Sequence, residues 1–306
     1  MTQSTFSINT PVVLIIFKRP DTTEHVFEAI RQARPTKLFV IADGPRADRP
    51  GESEKCAAAR AVIDRVDWDC EVIKNYSDVN LGCGKRVASG LDWVFEQVEE
   101  AIILEDDCVP DPTFFQFCEE LLEKYRYDSR VFTVSAQGFA KGYHREDYSY
   151  YFSRYTHSWG WATWKRSWQF FDLEMRHWKV IQEQKILNNV LEDHDAVKDW
   201  TNILEATYNK EIDTWDYQWM LSCWLQSGLS IHPISNLVSN IGFEGDATHL
   251  IDSKFLAMRC QSISFPLLHP PFIIRDVKAD RYLQRRLFRA SFLDKLRSLK
   301  KRILMA

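Results

Sequence analysis

The chain has 306 residues, 45% of them hydrophobic and 27% charged, an ordinary globular composition with enough length for one large core or two small ones. A formal net charge of -4 gives the body no electrostatic footprint for nucleic acid. The seven cysteines form no C-x-x-C pair and no zinc spacing, a pattern of free thiols in a reducing compartment.

Near the N-terminus the apolar run "VVLIIF" is only six residues long. That is far short of a signal-peptide core or a spanning helix, and it reads as the first core strand of a cytoplasmic protein. A helix is predicted around Thr22 to Gln32, then the strand "KLFVIAD", a helix around Ser53 to Val66, and the strand "CEVIKNY". The helical stretch "KRVASGLDWVFEQV", the strand "AIILEDD" and the helix "TFFQFCEELLEKY" follow. Continuous apolar strands separated by amphipathic helices predict an α/β fold with a mainly parallel, Rossmann-like sheet flanked by helices. Ligands of such sheets bind beyond the carboxyl ends of the strands, so "FKRPD", "ADGPR", "NLGCGK" and "EDD" should share one edge.

From about Ser135 the composition shifts, and nine of the eleven tryptophans fall between Trp159 and Trp224. Without a repeat or a low-complexity linker, this half is expected to build onto the same sheet. The expected division is residues 1–134, an α/β half, 135–275, a tryptophan-rich second half of the same domain, and 276–306, a basic amphipathic tail. The last 26 residues hold nine Lys/Arg and one Asp, and Phe288, Phe292, Leu296, Leu299 and Ile303 draw one apolar stripe. Such a helix either lies on an anionic membrane surface or docks its stripe on the body.

Glu105, Asp106 and Asp107 stand side by side at the end of a buried strand, where their mutual repulsion raises at least one pKa unless a positive charge compensates. A hard cation such as Mg²⁺ or Mn²⁺, held by one or two carboxylates with substrate phosphates, would supply that charge; solvated turn residues are the alternative. Asp111 is read separately as a helix cap followed by proline. Lys85 lies where a loop enters a helix, so its charge and the helix N-terminus are both placed to face a phosphate.

The pieces "VVLIIFKRP", "ADGPR", "NLGCGK", "ILEDDCVPDPTFF", "SWGWATW" and "WDYQWM", in this order, resemble the GT-A class of nucleotide-sugar glycosyltransferases. More narrowly, they look like the N-acetylglucosaminyltransferase I type and the bacterial family-2-like transferases. The resemblance runs from Pro11 to roughly His249. It implies a nucleotide-sugar donor, uridine-linked, with Mn²⁺ or Mg²⁺ on Asp107 and with Glu105 and Asp106 turned to the base, ribose or sugar. It places Arg19 and Asp43 on the nucleotide, where the plain alternatives are a surface arginine and a turn aspartate. The acceptor it implies is a saccharide or a lipid-linked saccharide.

Inverting transfer needs a base for the acceptor hydroxyl, and "DTWDYQWM" offers Asp213 and Asp216. The resemblance points to Asp216, although Tyr217 and Gln218 stand where relatives carry a single acid. In "SWGWATW" Gly160 would permit close backbone approach to a ligand, with Trp159 or Trp161 as a wall for a sugar face, while Trp164, Trp168 and Trp224 read as core and Trp219 stays open. His249, after the turn "NIGFEGDATH", is a further metal or diphosphate ligand in the resemblance and otherwise an ordinary exposed histidine. Two other classes compete. A sugar-1-phosphate nucleotidyltransferase would carry a glycine-rich loop after the first strand, which "FKRPDTT" lacks; a non-catalytic carbohydrate-binding protein explains the tryptophans and leaves the acids without a role.

Overall fold

The computed structural model describes residues 8–140, 142, 147–242 and 259–288. The first four strands are β1 (Val12–Ile16), β2 (Lys37–Ala42), β3 (Glu71–Tyr76) and β4 (Glu100–Glu105). Between them lie helices α1 (Pro20–Ala33), α2 (Glu52–Val62) and α3 (Cys83–Phe95). Pro20 opens α1, where its missing N–H costs nothing, and the Thr23 hydroxyl donates to the Arg19 carbonyl at 2.7 Å. The α1 stripe Thr23, Val26, Phe27, Ile30 and Ala33 is buried, and the helix ends at Arg34 in the left-handed region, just before Pro35.

After β5 (Cys108–Pro110) comes α4 (Thr113–Lys124), then β6 (Val131–Ser135), β7 (Tyr150–Ser153) and β8 (Trp161–Trp164). Asp111 caps α4 as expected, its carboxylate accepting from the Thr113 N–H at 2.9 Å. A helical layer follows: α5 (Lys165–Trp168), α6 (Trp178–Glu183), α7 (Leu187–Val190), α8 (His194–Tyr208) and α9 (Asp216–Leu225). Strands β9 (Leu229–Pro233) and β10 (Val238–Asn240) precede a last described helix, Val277–Leu283, which continues as a π-helical turn to Phe288.

Eight strands form one mixed sheet in the order β3-β2-β1-β4-β8-β6-β9-β7. Strands β1, β2, β3, β4, β6 and β9 run one way, and β7 and β8 run against them. The α/β, mainly parallel architecture is therefore present; β6, β7, β8 and β9 extend the same sheet, and β10 pairs apart from it with β5. Edge strand β3 is only partly buried and carries Glu71 and Lys74, charges that discourage pairing with another chain. Alternation along β1 feeds two cores. Val12, Leu14 and Ile16 pack with α1 and α4, whereas Val13 and Ile15 pack with α3 and the indoles of Trp161, Trp168, Trp215 and Trp219. A third core gathers Trp178, Trp200 and Trp224 with Leu283 and Leu287. The first residue of the tail stripe, Phe288, stacks on Tyr155 at 5.1 Å and lies 4.7 Å from Trp200. Residues 277–288 thus belong to the body; the rest of the stripe lies outside the described residues.

Candidate functional site

The carboxyl ends of β1, β2 and β4 are adjacent, because β1 pairs in parallel with both neighbours through the registers Ile16–Ala42 and Ile15–Glu105. This brings Arg19, Asp43 and the three acids to one edge. The Arg19 guanidinium (Nη1) lies 2.8 Å from Asp107 Oδ2, and the Phe17 N–H donates to Asp106 Oδ2 at 3.1 Å. Asp107 is engaged on its other side by the Asn240 amide at 3.3 Å, and its carbonyl accepts from the Ile241 N–H at 2.8 Å. Strand β10 delivers that contact by pairing antiparallel with β5, Asn240 opposite Cys108. Gly242 follows so closely that a Cβ there would stand 2.2 Å from Asp107 Oδ2.

The acids influence one another as their adjacency requires. Burial first, then the charge of Asp107, pushes Asp106 up to about 7, against the opposing effects of Arg19 and the Phe17 N–H. Glu105 lies well above the usual carboxylate range through burial and through the charges of Asp107, Asp106 and Asp216. The last of these identifies Asp216 as a neighbour of the strand-end acids, although the two lie 111 positions apart in sequence. Cys83 senses the same group: although the residue is exposed, desolvation by the surrounding protein raises its thiol, followed by the charges of Glu105, Asp213, Asp216 and Asp43.

Asp43 reaches this edge with its carboxylate engaged by the protein. It accepts from the Asn80 amide at 2.9 Å and from the Leu81 and Gly82 N–H groups at 2.9 and 3.1 Å. Asp213 continues the grip, accepting from the N–H groups of Cys83 and Gly84 at 3.0 Å each. Two carboxylates therefore hold five consecutive residues of "NLGCGK". Gly82 has a φ of +82°, and a Cβ at Gly84 would meet the Thr214 carbonyl at 2.8 Å, so these glycines admit Asp213. The expectation that Lys85 and the α3 N-terminus face a phosphate together is corrected in part: Asp213 occupies the helix terminus. Lys85 itself is exposed in the first turn of α3.

Asp216 opens α9 and is half-buried. The Thr214 hydroxyl and, at 2.9 Å, the Tyr217 N–H both donate to its Oδ1, while no described residue donates to Oδ2. Of the two candidate bases, Asp213 is engaged by α3, whereas Asp216 Oδ2 accepts from no described residue.

The tryptophan readings divide. Trp161 is 1% exposed and stacks on Trp215 at 5.3 Å; it is core, and its expected part as a sugar wall is corrected. Trp164, Trp168, Trp219 and Trp224 are buried as well. Trp159 is half-buried, its N–H donating to the Gln137 side chain at 3.3 Å. Gly160, with a φ of +66°, lies against Val238, Ala136 and Leu104, so its close approach is to the core instead of a ligand. His249 falls outside the described residues, among which no group of three or more His, Cys, Asp or Glu is arranged to hold a metal.

Two contributors escaped the sequence reading. Glu52, at the start of α2, binds Lys18 at 2.9 Å and Arg46 at 2.6 Å, tying the loops after β1 and β2 together. Asn240 meets Asp107 from far along the chain. "GESEK" and "VSNIG" carry no local signal for these partners, since both contacts are set by the tertiary fold.

No family model matches the chain, and no curated protein matches it. Among solved structures, the chain is similar to a UDP-glucose pyrophosphorylase complexed with UDP-glucose, at 8% identity and a TM-score of 0.37, over 74% of this chain and 90% of that one. No helix among the described residues is long and apolar enough to cross a membrane.

Proposed function

We propose that this chain is a GT-A-type glycosyltransferase that moves a sugar from a uridine-diphosphate donor to a saccharide or lipid-linked saccharide, with inversion and with Mn²⁺ or Mg²⁺. The observation that supports this reading is the gathering of Arg19, Glu105, Asp106 and Asp107 at one sheet edge, where Glu105 also feels the charge of Asp216 at the start of α9. A cation at Asp107 would stabilise charge on the departing diphosphate. Asp107 would be the protein ligand of such a cation once Arg19 leaves its Oδ2, and diphosphate oxygens would supply further ligands. Arg19 contributes a second positive charge for the diphosphate. Asp216 takes the proton of the attacking hydroxyl at Oδ2, its orientation fixed by the donors on Oδ1.

Glu105 and Asp106 face the nucleotide sugar in this reading, Asp43 shapes the loop that borders it, and Lys85 offers an exposed charge to it. Trp159 is the remaining indole for the acceptor, and His249 is retained as a ligand of metal or diphosphate. We place the protein in the cytoplasm, with the basic sequence beyond Phe288 touching an anionic membrane surface and the preceding turn docked on the body.

Thermal unfolding across a panel of nucleotide sugars, with and without Mn²⁺, tests the proposal. The expected outcome is Mn²⁺-dependent stabilisation by one uridine-linked sugar, lost in Asp107→Ala. Retained transfer by Asp216→Asn would exclude that residue as the base. Release of a sugar 1-phosphate from the same donor by added pyrophosphate would instead assign nucleotidyl transfer.

A further inference from the structure

One edge of the eight-stranded sheet is β7, and residues 268–276 run beside it. Leu268 exchanges hydrogen bonds with Ser149: its carbonyl accepts from the Ser149 N–H and its own N–H donates to the Ser149 hydroxyl, at 2.8 Å each. At the other end Arg275 bridges Phe152 in parallel register, and the Asp276 N–H donates to the Phe152 carbonyl at 2.7 Å. From Leu268 to Arg275 the chain takes seven steps where the strand takes three, so the middle of the segment stands away from the edge.

Two side chains hold that segment down. The His269 ring meets the Tyr150 hydroxyl at 2.9 Å and lies 3.3 Å from Glu120, and Ile273 packs on the first core. Their neighbours face outward: Leu268 is 61% exposed, and Phe272 and Ile274 are 70% exposed each. Nine large hydrophobic side chains are exposed among the described residues, and three of them fall within these seven positions. Phe272 and Ile274 flank the inward Ile273, so in this extended stretch they leave the backbone on the same side. Single exposed apolar residues are ordinary, whereas a cluster marks a contact surface. Pro270 and Pro271 suit this cluster to leaving water, because they fix the local backbone and carry no N–H whose desolvation would cost free energy.

Charge indicates what covers it. Residues 276–306 hold ten Lys/Arg and three Asp, although the whole chain carries -4. Asp280 is buried against Arg154 and Asp276 caps helix Val277–Leu283, whereas Lys278, Arg281, Arg285 and Arg286 are exposed. Glu192, which pairs with Arg275 and Arg281, offsets one of these charges. A second copy of the chain would bring like charge against like across a symmetric contact. An apolar segment followed directly by a basic helix instead supplies both signals for an anionic bilayer, burial for depth and cations for the headgroups.

We propose that Leu268, Phe272 and Ile274 insert into the interfacial region of an anionic membrane, with the exposed cations of the following helix against its headgroups. This rests on the reading that the chain meets a membrane through its basic tail, and it adds the part of the body that enters the bilayer.

The test is flotation of the full chain with vesicles of phosphatidylcholine and phosphatidylglycerol in equal parts. The unmodified chain should float with them. Phe272→Ser and Ile274→Ser together should weaken partitioning about tenfold or more while leaving Tm unchanged, since both side chains are exposed. Phe272→Trp should bind at least as tightly, because an indole favours the interface. In the tail, Lys300→Gln, Lys301→Gln and Arg302→Gln together should also weaken partitioning about tenfold or more, and adding the two serine changes should weaken it again by a similar factor. Undiminished flotation of the serine variant would overturn the insertion and leave the tail contact standing. Undiminished flotation of the glutamine variant, with the serine changes still effective, would remove the tail contact and uphold the insertion. No flotation of the unmodified chain would overturn both. A dimer in sedimentation equilibrium that the serine changes dissociate would assign the cluster to a second copy and overturn the proposal.

Discussion

Arg19 Nη1 stands 2.8 Å from Asp107 Oδ2, so the last acid of the strand-end cluster is already neutralised by a neighbouring loop. In the proposed reaction a divalent cation seeks that same oxygen. Arg19 then has two stations, the carboxylate in the empty enzyme and the diphosphate in the donor complex. Removing it relieves competition for the cation and takes a positive charge from the nucleotide. Partly exposed ion pairs contribute about 0.2–1 kcal/mol. Arg19→Ala should therefore bind Mn²⁺ alone about two- to fivefold more tightly, by the paramagnetic resonance signal of the free ion, while binding uridine diphosphate more weakly by calorimetry. Weaker Mn²⁺ binding in the variant would show that Arg19 does not compete for Asp107.

Asp213 joins the loop before α3 to the segment before α9, and its removal frees the N–H groups of Cys83 and Gly84 together. A lost cap of this type costs about 0.5–2 kcal/mol. Asp213→Ala should lower Tm by a few degrees and accelerate amide exchange at Cys83 and Gly84, with Asp213→Asn intermediate. Gly84→Ala should be at least as damaging, because its Cβ would stand 2.8 Å from the Thr214 carbonyl. Unchanged exchange at both amides in Asp213→Ala would remove the latch.

Glu52 supplies a pH dependence. The Arg46 side chain, its N–H and Lys18 together hold this buried carboxylate well below the usual range, against the opposing effect of burial. The folded state thus binds the proton less tightly than the unfolded chain. The contribution is complete above the ordinary value near 4.5 and is lost as pH falls through the folded value. Charge-assisted hydrogen bonds of this kind contribute about 1.5–3 kcal/mol, and the exposure of Lys18 and Arg46 favours the lower figure. Glu52→Gln should lower the unfolding free energy near neutral pH and flatten its fall below pH 4.5. An acid limb as steep as that of the unmodified protein would contradict this.

The first half of the fold was legible because its strands are continuous apolar runs and its helices carry stripes such as Thr23, Val26, Phe27 and Ile30. The strand-end rule then placed Arg19, Asp43 and the acids on one edge before any contact was known. Helices α5 and α7, at four residues each, are too short to show a period, and β5 and β10 are three-residue strands that exist through each other. Lys85 and the α3 terminus read as a phosphate cradle because local sequence does not reveal a carboxylate arriving from Asp213. The tryptophans were the hardest case, since an indole packs equally well on a sugar face and on another indole.

Trp161 shows the consequence of that ambiguity. It sits on β8 opposite Ile103 of β4 and Ser135 of β6, and its ring packs on Trp215 at 5.3 Å and Trp219 at 5.8 Å. Trp215 is the residue immediately before Asp216, so this stack supports the start of α9. Trp161→Ala should destabilise the fold by about 3–5 kcal/mol in denaturant unfolding, the range for removing a large aromatic from a core. It should also lower kcat, because the proposed base Asp216 loses its support, and Trp161→Phe should recover part of both. Trp159→Ala removes only a half-buried ring and should cost less than half as much stability while raising KM for the acceptor. If Trp161→Ala unfolded at the unmodified midpoint and changed only the acceptor KM, the indole would be a sugar wall after all. Its near-complete burial and its register between two central strands argue for the core.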